Sequence, residues 1–166
     1  KNIFKVSLQT NDSLHFGLKN LHLKLFIEGM HNSEMGTTIE DTISVYLRKT
    51  VYPYLLVDSS DSKIDSLGTG DFNFAHSQNN VSYYIVVRHR NGLETWSAAG
   101  QSFTSSIMNY DFTDNISKAY GDNLILKGSE YCLYSGDINY DTFIDLTDLN
   151  MIFNASTAFR QGYSLE

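Results

Sequence analysis

Alternation with a period of two residues is the feature that most narrows what this chain can fold into. In LHLKLFIEG, Leu21, Leu23, Leu25 and Ile27 alternate with His22, Lys24, Phe26 and Glu28, so an extended segment would show one apolar and one polar face. DTISVYLRK repeats the device with Ile43, Val45 and Leu47 inward, and Pro53 then ends it in VYPYLLVDSS, because proline brings no amide hydrogen to a ladder. GTGDFNFAH gives a short strand through Phe72 and Phe74. Further strands are predicted at 108–113, 124–127 and 131–135, with a helical turn near 114–119.

The hairpin signal lies in VSYYIVVRHRNGLETWSAA, where Asn91-Gly92 separates two apolar runs. That dipeptide tolerates the positive φ angles of a type I′ turn. Counting outward pairs Arg90 with Leu93, His89 with Glu94, Arg88 with Thr95 and Val87 with Trp96. Opposed residues share a face, so Tyr83, Ile85, Val87, Trp96 and Ala98 are expected in the core. Many short antiparallel strands with frequent turns predict an all-β fold, a β-sandwich over residues 1–135.

The 166 residues suit one domain of ordinary size with a small appendage. A net charge of −7 argues against nucleic acid, whose affinity comes from phosphates neutralised by Lys and Arg. Cys132 has no partner for an internal disulfide and reads as a small buried hydrophobe. No run approaches the ~20 apolar residues of a membrane-spanning helix, and no signal region is visible. A chain that starts at Lys1 is expected to be a piece of a longer polypeptide.

The chemistry is concentrated in GDINYDTFIDLTDLN. Taken as a twelve-residue calcium loop from Asp137, it places side-chain oxygens at positions 1, 3, 5, 9 and 12 as Asp137, Asn139, Asp141, Asp145 and Asp148. Phe143 offers its backbone carbonyl at position 7. The ligands are all hard oxygens, which select Ca2+ over softer metals. Position 6, where such loops use glycine for a sharp turn, is the β-branched Thr142. Ile144 at position 8 is expected to pin the loop to a core, and Leu146, Leu149, Ile152 and Phe153 recur at helical spacing, predicting an exiting helix of about two turns. Asx residues also turn and cap chains without any metal.

YSGDINYDTFIDLTDLNMIFN resembles the first half of a dockerin-type calcium repeat, in which a loop ending in Asp leads into one helix. The resemblance implies a calcium loop and one helix over residues 136–166, and the ion is expected to dock that helix against the sandwich. A second resemblance covers LHLKLFIEG, DTISVYLR, YYIVVRHRNGLETWSAAGQSF and YDFTDNISKAYG followed by YSGDIN. In that order they are similar to a module near the C-termini of large secreted or surface proteins of Bacteroidota and related bacteria, of the kind exported by the type IX system. VDSSDSKIDSLGTGDFNF leading to YYIVVRH is similar to transthyretin-like sandwiches. These resemblances imply an Ig-like or transthyretin-like Greek-key sandwich with an extracellular or cell-surface location, and no catalysis.

The residues themselves point the same way. His15, His22, His31, His76 and His89 lack the spacing of a metal motif, and no serine stands in a nucleophile elbow. Arg88 and Arg90 could grip a carboxylate, but beside a turn they read first as solvated hairpin residues. The expected role is a noncatalytic structural or adhesive module stabilised by Ca2+, whose partners are neighbouring domains or other surface proteins. The alternative is a carbohydrate-binding module of a polysaccharide-degrading enzyme with glycan partners, which the expected burial of Trp96 disfavours.

Overall fold

The computed structural model describes residues 17–158. The expected outer limits of the two domains, residues 1 and 166, and His15 lie outside the described residues. The strands are β1 (Lys19–Lys24), β2 (His31–Asn32), β3 (Thr37–Thr38), β4 (Asp41–Lys49), β5 (Leu56–Ile64), β6 (Thr69–Phe74), β7 (Ser82–His89), β8 (Gly92–Trp96), β9 (Gln101–Ser102), β10 (Ile107–Asp111), β11 (Ile125–Lys127) and β12 (Glu130–Cys132). One α-helix follows, α1 (Leu146–Thr157). Among the described residues the fold is therefore all-β with one short α-helix.

Two sheets build the core. One has the order β10-β1-β6, with β1 parallel to β10 and antiparallel to β6; the other runs β5-β4-β7-β8, with β9 also paired to β7. Leu21, Leu23, Phe72, Phe74 and Met108 from the first sheet share one buried cluster with Ile43, Val45, Leu47, Ile85 and Val87 from the second. Two sheets facing each other across a common apolar layer is the arrangement of a β-sandwich. The alternation in β1 and β4 thus does what a period of two requires.

Phe26 departs from its expected outward position. β1 ends at Lys24, the amide of Leu25 bonds to Gly68 O at 2.9 Å, and Phe26 turns inward to stack on His31 with ring centroids 4.1 Å apart. Gly68 itself has φ 76, and a Cβ there would lie 2.3 Å from Leu25 O, so the β5–β6 turn needs glycine on both counts.

The β7–β8 hairpin is out of register with the sequence-based pairing by one residue on β8. Val86 faces Trp96, Val87 faces Thr95, and His89 faces Gly92 across a bulge. Asn91 and Gly92 do not have positive φ. The reason is tertiary: Leu93 N bonds to Tyr134 O and Gly136 N to Asn91 O, so the segment after β12 captures the start of β8. Thr95 and Ser97 consequently face inward and are fully buried, while Trp96 and Ala98 are only partly buried.

β5 is a long strand that the alternation did not reveal. Its sequence, LVDSSDSKI, buries only Ile64. It forms the outer edge of its sheet, pairing with β4 alone. A strand with one neighbour and one packed face has little apolar periodicity to display.

Candidate metal centre

The loop between β12 and α1 is folded on its own acidic side chains. Asp137 Oδ2 accepts from Thr142 N at 3.1 Å, Asn139 Oδ1 from Asp141 N at 2.9 Å, and Asp141 Oδ1 from Phe143 N at 2.9 Å. Asp148, one turn into the helix, reaches back across the loop: Oδ1 accepts from Ile138 N at 2.8 Å and Asn139 N at 3.3 Å, and Oδ2 from Asp145 N at 2.9 Å. The side chains at positions 1, 3, 5 and 12 therefore all accept backbone hydrogen bonds from within this one loop. Position 9 differs: Asp145 is the N-cap of α1, its carboxylate accepting from Thr147 N at 2.7 Å.

Electrostatics separates the two buried carboxylates. Backbone donors, led by the Asp145 amide and joined by those of Ile138 and Asn139, hold Asp148 below the ordinary Asp range. Asp137 is pushed the other way: burial raises it, the Thr142 and Tyr140 amides oppose this in part, and the nearby charges of Asp148 and Asp141 raise it further. Asp137 is 1% exposed, and its Oδ1 is buried without a hydrogen-bond partner. A desolvated oxygen with no donor, facing other acids, is a position that a cation would satisfy.

Backbone strain marks the same loop. Thr142 has φ 72 and Tyr140 φ 61, a region that bulky and β-branched side chains rarely occupy. Thr142 thus takes up the turn that the missing glycine would have made. Among the described residues, no three His, Cys, Asp or Glu side chains stand close enough together to hold a metal ion. The Asn139 side-chain amide lies 2.7 Å from Asp141 Oδ2 and occupies that oxygen. Asp137, Asn139, Asp141 and Asp148 are the side chains that would have to close in to hold calcium, with the Phe143 carbonyl at position 7.

Two expectations about what the loop packs against are corrected. Ile144 is 47% exposed, touching Gly136 rather than entering a core. The helix has 12 residues, longer than the expected two turns, and Leu146, Leu149, Ile152 and Phe153 all remain exposed. Asp148, Met151 and Ala155 are its less exposed positions, which lie on the opposite side of a 3.6-residue wheel. The apolar stripe is therefore not packed on the sandwich.

The hairpin tip beside the loop was expected to pair His89 with Glu94. Instead Arg88 pairs with Glu94 and lies over the Tyr46 ring at 5.3 Å, while Arg90 and the buried His89 both bond to Asp41. Burial lowers the His89 pKa, opposed in part by Asp41. A groove of about 650 Å³ runs here, lined by Asp41, Thr42, Ser44, Tyr46, Arg88, His89 and Arg90 from the sheet and by Tyr140 from the loop. Farther along the outer face, Trp96 meets Tyr54 and Tyr84 with centroids 6.0 and 5.7 Å away, and its indole N–H donates to Glu94 Oε1 at 2.6 Å.

Neither Tyr140 nor Trp96 was legible as a surface ring. The signal available was the alternation of Glu94 and Trp96 against Thr95 and Ser97 in LETWSA, which the assumed turn position assigned to the wrong faces. A larger depression of about 1120 Å³ lies elsewhere, beside His22, Lys24, Asp71 and Lys118. Its His22–Asp71 pair is well exposed. Cys132 is fully buried and its thiol is pushed up to about 11, chiefly by burial, which keeps it un-ionised and unreactive near neutrality.

No helix among the described residues is long and apolar enough to cross a membrane. No protein-family model matches the chain, and a search of curated proteins finds no match.

Proposed function

We propose that this chain is a noncatalytic, calcium-stabilised structural or adhesive module of a larger secreted or cell-surface bacterial protein. The observation that carries the calcium reading is Asp137, buried, with Oδ1 unpartnered and two other carboxylates nearby. Asp137, Asn139, Asp141 and Asp148 would bind the ion with side-chain oxygens and Phe143 with its carbonyl. Asp145, committed to capping α1, would contribute through a water, as position 9 of such loops often does. The bound ion supplies positive charge among acids that otherwise repel, so its binding energy becomes folding energy for the loop and helix.

The finer fold assignment belongs to the same proposal: an Ig-like or transthyretin-like Greek-key sandwich followed by a dockerin-like half repeat. Its support is the order of the resembling segments and a loop that leads straight into one helix. The extracellular location and the type IX-type context rest on the same resemblance. The exposed stripe on α1 supports a neighbouring domain or another surface protein as partner, because contiguous exposed apolar side chains commonly mark contact sites.

The test is thermal melting in calcium and in chelator, for the chain as given and for Asp137→Ala. Calcium is expected to raise the midpoint of the loop-and-helix transition in the parent and not in the variant. Equal midpoints for the parent in both conditions would remove the proposal's basis.

A further inference from the structure

The loop and the sheet share one concave surface. Tyr140 lies between Asn139 and Asp141, and its ring, 54% exposed, forms one wall of the groove over β4 and β7. The floor carries the hydroxyls of Thr42 and Ser44, and the far side carries Tyr46 beneath the Arg88 guanidinium. Each arginine at the groove is matched to an acid, Arg88 to Glu94 and Arg90 to Asp41. The groove therefore offers fixed donors, acceptors and ring faces with no surplus charge.

That balance selects a ligand class. An anion would find both guanidinium groups already engaged, and the whole chain carries −7. An extended peptide recognised through its main chain needs a free sheet edge, but β4 and β7 are interior strands with a neighbour on each side, and the short Asp41–Ile43 stretch of β4 that lacks a β7 partner is crossed by the bonds of His89 and Arg90 to Asp41. What remains is a neutral molecule with many hydroxyls and an apolar ring face. Hydroxyls would meet Ser44, Thr42 and the matched ion pairs, and the C–H face of a pyranose would lie on the Tyr140 ring.

We infer that this groove binds a neutral oligosaccharide, and that the calcium loop controls the binding by fixing Tyr140. The control rests on the calcium reading above. Tyr140 sits at φ 61 within the loop, so an ion on Asn139 and Asp141 holds the backbone on both sides of the ring. Because coupling between two ligands is reciprocal, saccharide must tighten calcium by the same factor that calcium tightens saccharide.

The experiment is calorimetric titration of the full chain with gluco-, xylo- and manno-oligosaccharides of several linkages, in calcium and in chelator. A neutral oligosaccharide is expected to bind in calcium and to weaken on chelation. Tyr140→Ala should weaken it about tenfold, as the loss of one stacked ring implies, while Tyr140→Phe should bind nearly as the parent does. Ser44→Val tests the floor from outside the loop and should also weaken binding. Failure of every neutral oligosaccharide to bind the parent, or undiminished binding by both Tyr140→Ala and Ser44→Val, overturns the inference. A calcium-dependent melting shift without saccharide binding would overturn the groove and leave the calcium reading standing. No melting shift would remove the calcium reading and, with it, the control by Tyr140.

Discussion

At the scale of the residue, Asp137 and Thr142 are where the loop departs from a relaxed chain. The Asp137 carboxyl titrates above 3.8, its ordinary value, because it is buried and faces Asp148 and Asp141. Relative to the unfolded chain, this group favours the folded loop while protonated, an advantage present below 3.8 and lost as pH rises through its raised folded-state value. Calcium replaces the lost proton. The melting shift produced by calcium is therefore expected to be small near pH 3.8 and to grow as pH rises above it, measured by scans across that range. Thr142, at φ 72, pays a conformational penalty that glycine would not. Thr142→Gly is expected to relieve roughly 1 kcal/mol of strain and to tighten calcium about fivefold, read by titration. A looser site in the glycine variant would contradict the loop assignment. Both residues were visible in the sequence by loop position alone. What position could not reveal was the burial of Asp137, which comes from how the loop sits after β12.

At the scale of the element, the β7–β8 hairpin separates what local chemistry specifies from what packing imposes. Alternation correctly identified Tyr83, Ile85 and Val87 as inward on β7, since a strand with one buried face must repeat every second residue. On β8 the register lies one residue away from the one a turn at Asn91-Gly92 would set, which exchanges the faces of Thr95 and Trp96. Asn91-Gly92 carries a genuine turn preference, but the hydrogen bonds of Leu93 and Asn91 to the segment 134–136 outweigh it. Gly92 is consequently limited by space instead of by φ. A Cβ there would lie 3.3 Å from His89 Cβ and 3.6 Å from Tyr134 O. Gly92→Ala is expected to be nearly tolerated, whereas Gly92→Val should destabilise by about 1–3 kcal/mol through overpacking, read by denaturant unfolding. A type I′ turn would instead accept Gly92→Asn with little loss. β5 was illegible for the opposite reason: its buried face is too slight to impose a pattern.

At the scale of the whole molecule, the sandwich and the tail have different sources of order. The shared core draws on β1, β4, β6, β7 and β10 and on residues as late as Leu133, but includes nothing from the loop or α1. The helix keeps its apolar stripe exposed and is tied back chiefly through Asp148. Unfolding of the two parts should separate. Chelation is expected to leave the aromatic near-ultraviolet signal of the sandwich intact while a protease gains access to the chain beyond Gly136, read by timed digestion and mass spectrometry. Simultaneous loss of both would show that the tail supports the sandwich. Leu23→Ala, by contrast, is expected to cost about 2–5 kcal/mol and to lower the main transition with or without calcium.

The polar edge strand has a consequence beyond its own sheet. β5 presents Asp58, Ser59, Ser60, Asp61, Ser62 and Lys63 in unbroken succession, and Asp58 and Ser60 are held by donors from His76 and Asn73 on its flank. A second copy laid alongside this border would have to strip water from a row of hydroxyls and charged side chains before gaining a single ladder bond. Many copies can thus be crowded together without their sheets fusing into a continuous ribbon along β5. Whatever holds such copies side by side must act through another surface.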